Sequence, residues 1–184
     1  MSRDLQPQSN SFLNLIDTIS SKIGSTKTID SSLLLTENRG DILLRKNFLD
    51  DIISKNKTPN QTLYYQFISD SDRGISRNPD ESSKNFLELF EDIKLHGVKK
   101  PLLITKITSK ILNARYIFQN EKHWKKYENF SGFQLVDGAH RLAILLYLNT
   151  KNIPVKIIHS RGFEIPDYTE FLKLKSKGYL KNIE

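Results

Sequence analysis

A chain of 184 residues, 38% hydrophobic and 27% charged, can bury one substantial core, and its length favours one domain with appendages over two full domains. The formal charge of +7 and a pI near 9.5 bias its partners toward anions, a class that spans nucleic acid, nucleotides, phosphorylated metabolites and anionic surfaces. Without cysteine the chain has no disulfide framework, no thiolate metal site and no cysteine nucleophile, and no apolar run approaches the roughly 20 residues of a membrane span.

The polar opening MSRDLQPQSN lacks a signal-peptide core, so a cytoplasmic protein is expected. In FLNLIDTISSKI, Phe12, Leu15, Ile16, Ile19 and Ile23 share one helical stripe. Leu44, Phe48, Leu49, Ile52 and Ile53 do the same in LLRKNFLDDIISKN, so residues 1–60 read as a mostly helical extension. TPNQ is a turn, and TLYYQFIS after it has the aromatic and β-branched content of a strand. A long polar loop, DSDRGISRNPDESSKN, then feeds the helix FLELFEDIKLHG, with Phe86, Leu89, Phe90 and Ile93 on one face and Gly97 as C-cap.

KPLLITKI follows as a strand, and Thr108 to Gly132 is a long excursion with a possible strand in ARYIF. FQLV is the next strand. After a short turn comes a nearly all-apolar helix with Leu142, Ala143, Leu145, Leu146 and Leu148, then the turn NTKN and the buried strand IPVKII. A helix from about Asp167, carrying Tyr168, Phe171 and Leu172, closes the chain. The expected class is α/β, with a core over residues 61–160 and a C-terminal helix within 161–184.

The densest chemistry lies in LVDGAHRLAILLYL, Leu135 to Leu148. A glycine between strand and helix lets a backbone approach a phosphate, and the amides that follow add donors and the positive end of the helix dipole. Gly138 and Ala139 occupy those positions, although Asp-Gly is also a common turn pair. Arg141 can fork two hydrogen bonds to phosphate or make a salt bridge at the helix start; His140 can donate to a transferring group or serve as a structural imidazole. Asp137 ends an apolar strand, where either metal coordination or helix capping would accommodate its charge. Glu81, in PDESS, reads on its own as a solvated acid in a first helical turn.

The order from Arg77 to Ile158 resembles the ParB/sulfiredoxin fold family: an RNP loop, a helix ending LHGV, strand PLLI, a strand running into DGAHR, a helix, then IPVKII. The resemblance covers a little under half the chain and implies a small mixed sheet with helices that binds a nucleotide. Sulfiredoxin-like chemistry needs a cysteine in a GCHR turn. This chain has Ala139 there and no cysteine elsewhere, so that reaction is excluded. Partition-type members carry a helix-turn-helix after the module; the stretch from His159 to Glu184 is short for one, and SSKIGSTKTIDSS has no evident recognition helix.

Free-serine kinases of this fold carry a DGHHR turn and a glutamate just after a proline. This chain is similar at DGAHR and at Pro79, Asp80, Glu81, with Ala139 in place of the first histidine. The resemblance implies Glu81 as the general base on an acceptor hydroxyl and Asp137 as its helper or the Mg²⁺ ligand. Gly138, Ala139, His140 and Arg141 would bind the nucleotide, with His140 also catalytic. The expected function is transfer of a phosphoryl group from ATP or ADP, with Mg²⁺, to a hydroxyl of an amino acid, polyol or sugar. The alternative is a non-catalytic DNA-binding or CTP-binding regulatory module. Lys94, Lys99, Lys100, Lys106, Lys110, Arg115, Lys122, Lys125 and Lys126 face one acid, Glu121, across that stretch. Within it EKHWKKY interleaves Trp124 and Tyr127 with the charge, either as single-strand binders do or as a solvated basic hairpin with two packed aromatics. His96, His123 and His159 lack metal-ligand spacing, so no zinc site is expected.

Overall fold

The computed structural model describes residues 25–36, 39–70, 78–107 and 131–158. The expected helices at 12–23 and from 167, the strand in ARYIF, and His123, Trp124, Tyr127 and His159 lie outside these residues. What is described is a mixed α/β fold with one four-stranded sheet, order β1-β4-β2-β3. Its strands are β1 (Lys27–Asp30), β2 (Leu102–Lys106), β3 (Phe133–Asp137) and β4 (Asn152–Ile157). β1 runs antiparallel to β4, β4 parallel to β2, and β2 antiparallel to β3. The chain leaving β1 at one edge reaches the other edge at Leu34, which bridges Phe133, so the sheet is strongly curled.

Helices cover one face: α1 (Gly40–Leu49), α2 (Leu63–Ser69), α3 (Pro79–His96) and α4 (Ala139–Tyr147). Leu102, Ile104, Leu135, Ile153 and Val155 from the sheet meet Ile42, Leu44 and Phe48 of α1, Phe86 and Phe90 of α3, and Leu142 to Leu145 of α4 in one buried cluster. Phe48, Tyr64 and Phe86 form its aromatic centre, with centroids 5.0 to 5.6 Å apart, joining α1, α2 and α3.

Three expectations are corrected. Within the extension expected to be mostly helical, Lys27–Asp30 is a strand followed by a 3-10 turn, and β1 becomes a strand only by pairing with β4 far along the chain. TLYYQFIS is helix α2, not a strand. Thr62 caps it by accepting from the Tyr65 amide at 3.2 Å, and Tyr64 and Phe67, three apart, both face the core. Residue-type preference yields here to helical spacing of the buried rings. The polar loop also ends earlier than expected: α3 starts at Pro79, with Asn78 accepting from the Asp80 and Glu81 amides at 3.0 and 3.4 Å.

At the start of α1, Arg39 grips Asp41 with Nε and Nη2 at 2.7 and 2.9 Å, and its Nη1 reaches the Leu135 carbonyl at 3.2 Å. This ties α1 to the strand that leads into the Asp-Gly turn. Burial alone would push the Asp41 carboxyl up, but the Arg39 hydrogen bonds, the charges of Arg39 and Arg45 and the Ile42 amide outweigh it and hold the group below the ordinary range. A carboxylate depressed in this way stabilises the fold fully above its unfolded pKa of about 3.9, and the contribution is lost as pH falls through the lower folded value. With 21% of the Asp41 side chain in solvent, Asp41→Asn is expected to cost about 2 kcal/mol at neutral pH. The gap to the parent should narrow below about pH 4. Urea unfolding across that range measures it, and a gap independent of pH would remove Asp41 from the account.

Candidate functional site

The Asp-Gly turn sits where β3 ends beside the start of β2. The register of this pair slips by one residue between Leu103, opposite Asp137, and Ile104, opposite Leu135. Gly138 follows at φ 105° and ψ 32°, in left-handed space that favours glycine. A Cβ there would stand 2.6 Å from Leu102 Cδ2 and 3.0 Å from Arg141 Nη2. The glycine therefore serves both the backbone turn and the close packing of Leu102.

Ala139, His140 and Arg141 form the first turn of α4 itself, where the sequence suggested a turn preceding the helix. The first backbone bond of the helix runs from the Leu142 amide to the Gly138 carbonyl at 2.8 Å, and Gly138, at the N-cap position, has no side chain with which to cap the N-terminus. The amides of Ala139, His140 and Arg141 precede that bond, as the first amides of any α-helix do.

Arg141 realises its salt-bridge reading. Its Nη2 donates to Asp137 Oδ2 at 2.8 Å, and its Nη1 donates to the carbonyls of Pro101, at 2.9 Å, and Lys100. The side chain is only 13% exposed, against 48% for Asp137. Two guanidinium hydrogens thus join the turn to the start of β2, and a third closes onto Asp137 at the end of β3. The Asp137 carboxylate accepts this bond through Oδ2 and is half in solvent.

His140 lies half-buried, with its ring centroid 4.9 Å from that of Phe86 in edge-on contact and its Nε2 3.0 Å from the Tyr64 hydroxyl. The neighbouring Tyr65 donates to Asp80 Oδ1 at 2.9 Å, and that carboxylate raises the pKa of the Tyr65 phenol. Two consecutive tyrosines of α2 thereby reach the first turns of α4 and α3, which carry His140 and Glu81. Glu81 itself is exposed in the first turn of α3, the position expected from its residue type and surroundings. Beside it Ser83 is 1% exposed, and its Oγ has no hydrogen-bond partner among the described residues.

Sequence reading missed Tyr64, Arg39, Asp41 and Arg45 as supports of this region. Arg45 donates from Nη1 to the Asp41 carbonyl at 2.6 Å and lies 5.6 Å from the Tyr64 ring centroid. The available signal was the spacing Arg39, Asp41, Arg45 at the head of an amphipathic helix. Of the basic stretch, Lys94, Lys99, Lys100 and Lys106 are described; Lys99 pairs with Asp92 at 2.7 Å, and Lys100 is exposed next to the turn.

Among the described residues no group of three or more His, Asp or Glu side chains forms a metal cage, and no helix is long and apolar enough to cross a membrane. Mg²⁺ asks for less than a cage, since one or two carboxylates suffice when phosphates and water complete its shell. A half-exposed carboxylate such as Asp137 has the chemistry for that limited role. No family model, curated protein or solved structure matches this chain, so the family resemblance rests on its motifs alone.

Proposed function

We propose that this chain binds a nucleotide by its phosphates at the Gly138 turn and passes a phosphoryl group to the hydroxyl of a small molecule. The observation that carries the reading is the first turn of α4, opened by a left-handed glycine that has no side chain to cap it, on a chain of charge +7. The similarity of DGAHR and PDE to the free-serine kinases of the ParB/sulfiredoxin family supports the same reading. The amides of Ala139, His140 and Arg141 hold the phosphate. Arg141 shapes the turn and adds its charge rather than its full fork. Glu81 takes the proton of the acceptor hydroxyl as its oxygen bonds phosphorus, and the bond to the departing nucleotide breaks. Mg²⁺, held by phosphate oxygens, water and Asp137, would neutralise the charge that gathers on the phosphates. Exposed acids such as Glu81 need no rearrangement of the core to meet a substrate.

A non-catalytic module that binds CTP or DNA is the second reading, favoured by the commitment of Arg141 to the fold and by an exposed Glu81 that no hydrogen bond orients among the described residues. Titration with ATP, ADP, CTP and a DNA duplex at several salt concentrations separates the two. The kinase reading expects nucleotide binding, with turnover falling about 100-fold or more in Glu81→Gln while nucleotide affinity holds. A steep salt slope with DNA and no nucleotide binding would reject it.

A further inference from the structure

We infer that Tyr64 is a positioning residue that fixes His140 as the neutral tautomer carrying its proton on Nδ1. The two side chains meet at 3.0 Å, hydroxyl to Nε2, across a contact between α2 and α4. Either atom could donate, and the surroundings decide which. The Arg45 guanidinium lies 5.6 Å from the Tyr64 ring centroid and is itself 13% exposed, so its charge is poorly screened. A cation against the ring draws electron density from the phenol, which strengthens its O–H as a donor and weakens its oxygen as an acceptor.

Arg45 is held in place by Asp41, through the carbonyl bond and an ion pair at 3.6 Å, and its Nε has no hydrogen-bond partner among the described residues. The favoured arrangement is therefore Tyr64 O–H donating to a bare Nε2, with Nδ1 protonated. The Phe86 ring, 4.9 Å away and inclined by 71°, keeps the imidazole in this plane.

One functional consequence rests on the phosphate-binding reading above: His140 then serves a bound phosphate as a hydrogen-bond donor and not as a base, which leaves the proton-accepting role to Glu81. The tautomer itself does not depend on that reading, so its test needs no nucleotide.

Long-range ¹H–¹⁵N correlation on the ¹⁵N-labelled full chain at about pH 8, above the ordinary histidine range, reads the ring nitrogens directly. His140→Gln identifies the signals among the four histidines. The expected result is a protonated Nδ1 and an unprotonated Nε2 in the parent, and a shift toward the Nε2–H form, the ordinary preference of free histidine, in Tyr64→Phe. Arg45→Met, which keeps Tyr64, should move the balance part of the way. A parent with Nε2 protonated, or a Tyr64→Phe spectrum identical to the parent, overturns the inference. If the tautomer is as inferred and no nucleotide binds, the phosphate reading fails while the tautomer stands.

Discussion

Gly138→Ala is expected to destabilise the fold by about 3 kcal/mol, of which about 1 to 2 is the left-handed backbone and the remainder overpacking. The new methyl would meet Leu102 Cδ2 at 2.6 Å, and Leu102, the first residue of an inner strand, is fully buried, so it has little room to yield. Arg141, at 3.0 Å, is the second obstacle and is tied to two carbonyls. Gly97 provides the control. It also has positive φ, 74°, with ψ −174° in a region almost reserved for glycine, but a Cβ there meets nothing within 4 Å, so Gly97→Ala should cost about 1 to 3 kcal/mol of backbone strain and nothing for packing. Chemical denaturation of both variants compares them. A Gly138→Ala loss of no more than about 1 kcal/mol would mean that Leu102 does not pack tightly on the turn.

Arg141→Ala is expected to cost a similar amount, about 3 kcal/mol, because it strips donors from the carbonyls of Lys100 and Pro101 and from Asp137 in one step. Asp137 is half in water and can be resolvated, so most of the loss comes from the carbonyls and from the buried stem of the arginine. Arg141→Lys should recover only part, since an ammonium lacks the planar fork that spans both sites. The variant is therefore a poor isolated probe of phosphate affinity, and denaturation must accompany any binding measurement on it. A loss below about 1 kcal/mol would show that water replaces the guanidinium at little cost.

The parts of the fold legible in the sequence are those whose signal is local. The stripe Phe86, Phe90 and Ile93 with Gly97 behind it, the apolar run after Arg141, and the strands at Leu102, Phe133 and Ile153 all form as their patterns indicate. β1 was not legible, because KTID has no apolar alternation of its own and is a strand only beside β4. α2 was misread because its rings suit a strand by type, while Thr62 and the spacing of Tyr64 and Phe67 fix a helix. At the site, the positive φ of Gly138 suits the Asp-Gly pair, and the salt bridge open to Arg141 at the helix start forms with Asp137, the last residue of β3. The Arg141 bonds to the Lys100 and Pro101 carbonyls, and the reach of Tyr64 to His140, join residues distant in the chain, which only the folded chain brings together.

Amide-resolved NMR during titration of the full chain with Mg²⁺-ATP, and separately with Mg²⁺-ADP, tests the central claim most directly. A phosphate at the uncapped turn accepts from the amides of Ala139, His140 and Arg141, so their ¹H–¹⁵N signals should show the largest saturable shifts, followed by those of Gly138 and Lys100. Shifts that avoid this turn, or none up to millimolar nucleotide, would contradict the claim that the Gly138 turn is a phosphate site.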